Sequence, residues 1–387
     1  MDKVMSREVA VPLLQRMIET DTCNPPGNEH ALSLLLQEFL HGHGMDSEAV
    51  LLDAGRSNLE AVLRGSGRRK LMFCGHLDTV SAWTQTAGRY PPHGAVIEGS
   101  RLYGRGAADM KSGLAAMLLA MVSLRQEGIR LDGDLLWLAT AGEEVDSCGA
   151  RLYAEQHSLA GLDGIVIAEP TASRVAVGHK GALWLRISLH GRSAHGSMPQ
   201  LGVNAVEGMV AVITLLHRHA LKWQAQDAVL GASSLSVNHI AGGIQTNVVP
   251  DHCIIDVDIR TVPPLEHARL FAEIEQELAM ITQLHAGYHY SVELLLDRSS
   301  VYSDPAGRLI QTALAITGES AEAARGVSYY TDGSVLHHGG KLPVLIYGPG
   351  EPAQAHQADE WVDIEAYLAS IRFYRELALR FLGTVDV

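Results

Sequence analysis

Residues 70–79 read Lys70-Leu71-Met72-Phe73-Cys74-Gly75-His76-Leu77-Asp78-Thr79. A short apolar run stops at a glycine, and a histidine and a carboxylate follow at once. Runs of this length bounded by turn residues mark strands. Chemistry just beyond the carboxyl end of a strand is where open α/β folds keep their sites. The stretch therefore predicts a strand over Lys70–Cys74 and a site at its exit.

The flanking sequence repeats the theme. Strand-like runs occur at Asn58–Arg64, Asp134–Thr140 and Gly164–Ala168, and the Ala/Leu/Met-rich segment Ser112–Leu124 reads as a buried helix. Upstream, Val9, Leu13, Leu14 and Met17 recur at helical spacing, and Ala31–His41 is a second helix. Strands alternating with helices predict an α/β domain with a mixed, largely parallel sheet. After about residue 179 the pattern changes. A strand (Ala182–Leu189), a helix (Val203–His219), two strands (Ser233–Ile240, Cys253–Arg260), a helix (Pro264–Thr282) and a strand (Tyr288–Leu296) give the order βαββαβ, a ferredoxin-like module. The α/β pattern then resumes with helix Asp304–Thr317, strand Leu342–Tyr347 and helix Ile364–Phe381. The expected organisation is a discontinuous α/β domain, 1–179 and 298–387, with a second domain, 180–297, inserted into it.

The 387 residues exceed the size at which single cores stop growing, in keeping with two domains. Hydrophobic residues at 47% and charged residues at 19% are ordinary for a globular chain. A formal net charge of −14 argues against nucleic acid, which is held by Lys/Arg-rich surface. Cys23, Cys74, Cys148 and Cys253 are scattered without a CxxC pair and read as reduced thiols. With no signal-peptide pattern at the amino terminus and no long uninterrupted apolar run, a soluble cytoplasmic protein off the membrane is expected.

Five segments carry candidate chemistry. His76 is a candidate metal ligand, and Asp78 is close enough to orient its imidazole. Asp109 is the carboxylate of the small-residue loop Gly104–Gly113, placed to bridge two ions. Glu143 and Glu144 follow strand Asp134–Thr140; adjacent side chains diverge, so one would bind metal while the other handles a proton. Glu169 follows strand Gly164–Ala168, and His356 closes the loop after strand Leu342–Tyr347. Singly these are weak signals: a loop histidine is usually solvated, and a Glu-Glu pair often just starts a helix. Arg105 and Lys111 have a plain reading as partners of nearby acids. Together, two histidines and several carboxylates at strand ends form a mixed N/O set suited to zinc. A carboxylate shared between two similar half-sites suggests two ions about 3.5–4 Å apart.

These segments, with Asn24-Pro25-Pro26-Gly27-Asn28-Glu29, resemble the zinc-dependent family of acetylornithine deacetylases, succinyl-diaminopimelate desuccinylases, aminoacylases and glutamate carboxypeptidases. The resemblance runs nearly end to end. It implies two zinc ions per subunit, with cobalt or manganese as substitutes. His76 and Glu169 would complete one site and Glu144 and His356 the other, with Asp109 between them. Glu143 would be the general base and acid, and Asp78 would orient His76. The inserted domain would act as lid and homodimer contact. His195, in Gly191-Arg192-Ser193-Ala194-His195-Gly196, would polarise the scissile carbonyl from the partner subunit, and Asn247 would contact substrate.

Arg260 ends a strand whose apolar and charged residues alternate, where it could simply pair with Asp256 or Asp258; the resemblance makes it the clamp for the substrate carboxylate. His179, His190, His337 and His338 have no matching role and read as structural. Glutamate at 169 resembles the deacylases and glutamate carboxypeptidases more than the aminopeptidases. The implied activity is removal of an acyl group from an N-acyl amino acid, with a metallocarboxypeptidase or dipeptidase acting on short peptides as the alternative.

Overall fold

The computed structural model describes residues 3–82, 88–284, 287–337 and 342–385. The chain forms two compact units, one of residues 1–178, 301–327 and 331–387, the other of 179–300 with 328–330.

In the first unit four parallel strands lie side by side, in the order Asp134–Thr140, Lys70–His76, Gly164–Ile167, Val344–Ile346. Antiparallel strands extend the sheet on both sides: Arg56–Leu63 and Ser47–Asp53 beyond Asp134–Thr140, and Ala176–His179 beyond Val344–Ile346. Residues 71–76 are buried one after another. Successive strand side chains point to opposite faces, so unbroken burial means both faces are covered. The covering includes helix Ser112–Gln126, buried all round from Ser112 to Leu124, and helix Ile364–Leu382, whose Tyr374 ring meets Phe73 at 5.5 Å.

Among the described residues one helix, Ala107–Gln126, is long and apolar enough by length and composition to cross a membrane, although Asp109 and Lys111 interrupt its apolar run. Its apolar window is 94% buried inside the fold, as the core helix of a sheet requires. Short strands also appear that the residue pattern does not announce, namely Val96–Glu98, Arg101–Tyr103 and Trp361–Asp363, which pair with one another.

The second unit is a four-stranded antiparallel sheet. Numbered along the chain, Gly181–His190, Ser234–Gly242, His252–Thr261 and His289–Arg298 lie in the spatial order second, third, first, fourth. Here burial alternates: Cys253, Ile255, Val257 and Ile259 are buried, while the residues between them are half-exposed. One face therefore carries the core, built from these residues, Leu183, Leu185 and Ile187, and from Met209, Leu216, Leu270 and Ile274 on helices Ala205–Lys222 and His267–Leu284. The first helix begins at Ala205 rather than Val203 because Asn204 caps it, its Oδ1 accepting from the N–H groups of Val206 and Glu207 at 3.0 and 3.2 Å.

Candidate metal centre and active site

Each of the four parallel strands delivers a functional segment from its carboxyl end. Strand Lys70–His76 places His76, which is 1% exposed. Its Nδ1 donates to the main-chain carbonyl of Asp78 at 2.8 Å, so Nε2 presents a lone pair to the site. This corrects the role expected of the Asp78 carboxylate, whose nearer oxygen is 3.7 Å from that nitrogen. The carboxylate instead accepts from the backbone N–H groups of Gly142 and Glu143 (3.1 Å each) and Glu144 (3.3 Å), and from Asn24 Nδ2 (3.0 Å). Asp78 thus organises the turn that carries both glutamates. That turn needs Gly142, whose φ is +79° and whose missing Cβ would lie 2.6 Å from Arg56 Nη2. Arg56 is held there by Glu29, which is fully buried, at 2.9 Å.

Asp109 comes from the irregular segment Ala107–Lys111, which follows Gly106 at φ +84°. The buried carboxylate of Glu360 fixes this segment. Its Oε1 accepts from the N–H groups of Ala108 and Asp109 at 2.8 and 3.0 Å, and its Oε2 meets Arg105 Nη1 at 2.6 Å. Arg105 does pair with an acid. Lys111 does not: its buried ammonium donates to the carbonyls of Met17 and Thr20, both at 2.9 Å.

The two oxygens of Asp109 face different histidines. Oδ1 lies 3.2 Å from His76 Nε2, and Oδ2 lies 3.4 Å from His356 Nε2. Glu169 Oε1 is 3.7 Å from His76, and Glu144 Oε2 is 3.2 Å from His356. His356 holds its place with φ +64°, a left-handed conformation rare outside glycine and a mark of functional sites. Glu143 is also within reach, its carboxylate grouping with His76 and Glu169.

The electrostatics show what this set lacks by itself. Burial pushes the carboxyls of Glu143 and Glu169 well up, and the charge of neighbouring acids pushes them further. Burial resists ionisation of Asp109 too, but His356 and His76 on either side hold its carboxyl below the usual range. The imidazole of His356 is pushed up to about 10 by Asp109 and then Glu144. Among the described residues, Oε1 of Glu143 and Oε1 of Glu144 are buried without a hydrogen-bond partner. Buried acceptors in this state are costly unless a cation compensates them. The donors are imidazole nitrogens and carboxylate oxygens, which fit zinc and related divalent ions.

The remaining predicted residues lie in the second unit. His195 and Val248 are paired across a two-residue ladder, and Gly196 N–H donates to the Asn247 carbonyl at 2.7 Å, so the His195 and Asn247 turns are neighbours. The backbone N–H of Ser197 donates to His195 Nδ1 at 3.1 Å, which leaves the proton on Nε2, and the imidazole is exposed. Arg260 is engaged with Asp258, Nε to Oδ1 at 2.9 Å, as the plainer reading of this strand had it. Arg260 lies opposite Ala182, at the far end of the strand from His252. His190 stacks on His252 at 4.7 Å, and His179 Nδ1 donates to the Lys180 carbonyl. His337 is buried and its imidazole is pushed down by burial; His338 lies outside the described residues.

Sequence reasoning missed Glu360 and Asp332, the latter buried and accepting from Thr140 Oγ1 at 2.6 Å.

A set of candidate metal ligands gathered beyond the ends of parallel strands fits an α/β metal enzyme, and the comparisons with known proteins narrow the class. The model of peptidase family M20/M25/M40 matches residues 72–380. The chain is 30% identical to a probable succinyl-diaminopimelate desuccinylase of Staphylococcus aureus (strain N315), over 97% of this chain and 98% of the relative. It is 33% identical to an acetylornithine deacetylase of Proteus mirabilis, over 89% and 88%. A solved structure described as a dinuclear metal-binding peptidase of family M20, from Bacillus subtilis, superposes with a TM-score of 0.73 at 15% identity, covering 97% of this chain and 98% of that one. The chain belongs to peptidase family M20/M25/M40. It is a metal-dependent hydrolase acting on amide bonds.

Proposed function

We propose that this enzyme removes the acyl group from an N-acyl amino acid, using two zinc ions in the manner the resemblance to acetylornithine deacetylases and succinyl-diaminopimelate desuccinylases implies. The observation that carries the two-ion reading is the division of Asp109, one oxygen toward His76 and the other toward His356. His76 and Glu169 would hold one ion, Glu144 and His356 the other, with Asp109 shared. Cobalt or manganese would serve the same ligands. Bound there, the metal would lower the pKa of a water and polarise the scissile carbonyl.

The chain's own residues do the rest. Glu143 takes the proton of the attacking water and returns it to the leaving nitrogen, a task suited to a carboxyl that burial has pushed up. Asp78 keeps Glu143 and Glu144 diverging by holding their backbone N–H groups. His195, with its proton on Nε2, donates to the oxyanion, and Asn247 beside it contacts substrate. Arg260 exchanges Asp258 for the substrate carboxylate.

Spacing within the second unit supports a homodimer. Arg260 is eight residues along its strand from His252, about 26 Å at ~3.3 Å per residue, while the His195 and Asn247 turns join the sheet at the other end. A small substrate clamped by Arg260 is therefore served by the partner's histidine, with the second unit as lid and dimer contact. A cytoplasmic enzyme of amino-acid metabolism fits this reading.

The test is hydrolysis of one panel, N-acetyl and N-succinyl amino acids beside dipeptides, by zinc- or cobalt-loaded protein. Turnover of the N-acyl compounds is expected. Turnover of dipeptides alone would overturn the deacylase reading in favour of a peptidase.

A further inference from the structure

Away from the proposed centre, the first unit gathers a second set of ligating side chains. Asp21 and Cys23 precede the Asn24–Gly27 loop, and His93 approaches from a distant part of the chain. His93 Nε2 lies 3.5 Å from Asp21 Oδ1 and 3.9 Å from Cys23 Sγ. The three candidate ligand atoms all lie within 4.8 Å of one another. On one tetrahedral zinc-class ion, with bonds of about 2.1 Å to nitrogen or oxygen and 2.3 Å to sulfur, such pairs are separated by about 3.4–3.6 Å. Both His93 pairs already stand within a few tenths of an ångström of these separations.

The same nitrogen of His93 faces both partners, and this decides between two chemistries. In a nucleophilic Cys–His–Asp arrangement the acid holds one ring nitrogen while the other serves the thiol. Here the far nitrogen, Nδ1, is turned to the main-chain carbonyl of Ile18 at 3.3 Å, which leaves Nε2 as the free lone pair. Backbone fixing one ring nitrogen while the other points at a cluster of acceptors is the arrangement of a ligating histidine. Asp21 is fixed in turn, its Oδ1 accepting from Cys23 N–H at 2.9 Å, and its side chain is 64% exposed, which leaves a route from solvent. Thr79 Oγ1 points at the sulfur at 3.7 Å, a donor that would support a thiolate.

We propose that Asp21, Cys23 and His93 form a third cation site, distinct from the His76–Asp109 centre, that takes a thiophilic divalent ion of the zinc class with water as a fourth ligand. Without the ion the sulfur stays a thiol, because burial and the nearby Asp21 oppose its ionisation. Binding exchanges the thiol proton for the cation. Lys111, close enough to feel both Cys23 and Asp21, favours the thiolate. The segment is also tied to the catalytic loop: Asn24 N–H donates to the Thr79 carbonyl at 2.8 Å and Asn24 Nδ2 to Asp78.

The test is a cobalt titration of the whole chain after it has been stripped of metal and given two equivalents of zinc. The native chain should take up one further equivalent, with a thiolate-to-cobalt charge-transfer band in the near ultraviolet. Cys23→Ser should bind one equivalent fewer and lose the band while keeping native turnover; His93→Gln should weaken uptake at least about tenfold. Cys148→Ser, which removes the other half-buried thiol, should keep both signals. In the unaltered protein, alkylation of Cys23 should slow as cobalt is added. A band and stoichiometry unchanged in Cys23→Ser, or alkylation of Cys23 indifferent to cobalt, would overturn the site.

Discussion

The two units solve the same packing problem in opposite ways. In the α/β unit residues 71–76 of the strand Lys70–His76 are buried without a break, so each polar group around it must find a partner inside. Asp78 has four donors, Glu360 has three, and Lys111 spends its ammonium on two carbonyls. In the βαββαβ unit burial alternates along His252–Thr261, and its charges sit on the open face as Arg186–Asp256 and Arg260–Asp258 pairs. The first arrangement makes charge expensive and therefore chemically useful. The second leaves its charges partly exposed and paired with one another. Substitutions in the two units should differ in size accordingly.

The largest effect is expected at Glu143. Glu143→Ala should lower kcat by about 10²–10⁴-fold, the usual worth of a positioned acid–base group, with metal content unchanged. Loss of metal instead would show that Glu143 and Glu144 have exchanged roles, a real alternative given that Glu143 also groups with His76 and Glu169. Glu360→Ala should come next, because it strands Arg105 in the interior. Breaking a buried pair in this way costs about 3–5 kcal/mol, read as a lower denaturant midpoint. Glu360→Gln, which keeps an acceptor for the N–H groups of Ala108 and Asp109, should recover part of the loss. If both variants unfold at the native midpoint, the buried unit is more forgiving than its geometry implies.

In the open-faced unit the expected changes shrink. Arg260→Ala should raise KM for substrates with a free carboxylate by about 10–100-fold, the worth of a hydrogen bond to a charged group at about 1.5–3 kcal/mol, and leave the stability of the chain near native. Equal responses from free and esterified substrates would remove the clamp.

Smallest is the effect at Asp297, half-exposed and bound to His267 at 2.6 Å. His267 holds this carboxyl below its usual range, so the folded chain releases the proton more readily than the unfolded one. Its contribution, under about 1 kcal/mol for so exposed a pair, is present above pH about 4 and is lost as the pH falls through the lowered value. Asp297→Asn should therefore be slightly less stable than native at neutral pH and indistinguishable from it in acid. A difference that grows on acidification would reverse the sign.

The same contrast explains what the sequence discloses. The four parallel strands are legible because each is an apolar run that stops at a glycine or an acid, and the candidate site residues follow those stops. The inserted unit is legible through the alternation at Ile255, Val257 and Ile259. The three-residue strands Arg101–Tyr103 and Trp361–Asp363 are too short to show a period. Glu360 and Asp332 act across more than 190 residues of chain, on Arg105 and Thr140, where no spacing rule reaches. Asp78 shows a subtler limit. Its two-residue distance from His76 correctly brings the two together, but the carbonyl rather than the carboxylate makes the contact, and only the fold reveals that the carboxylate serves the glutamate turn.

The central claim, that Asp109 joins two ions, is tested most directly by counting tightly held zinc in dialysed protein carrying Cys23→Ser, with and without Asp109→Ala. Two zinc ions per chain in the first and loss of both, or nearly so, in the second is the predicted result. Loss of a single ion on removing Asp109, or a count of one to begin with, would contradict it.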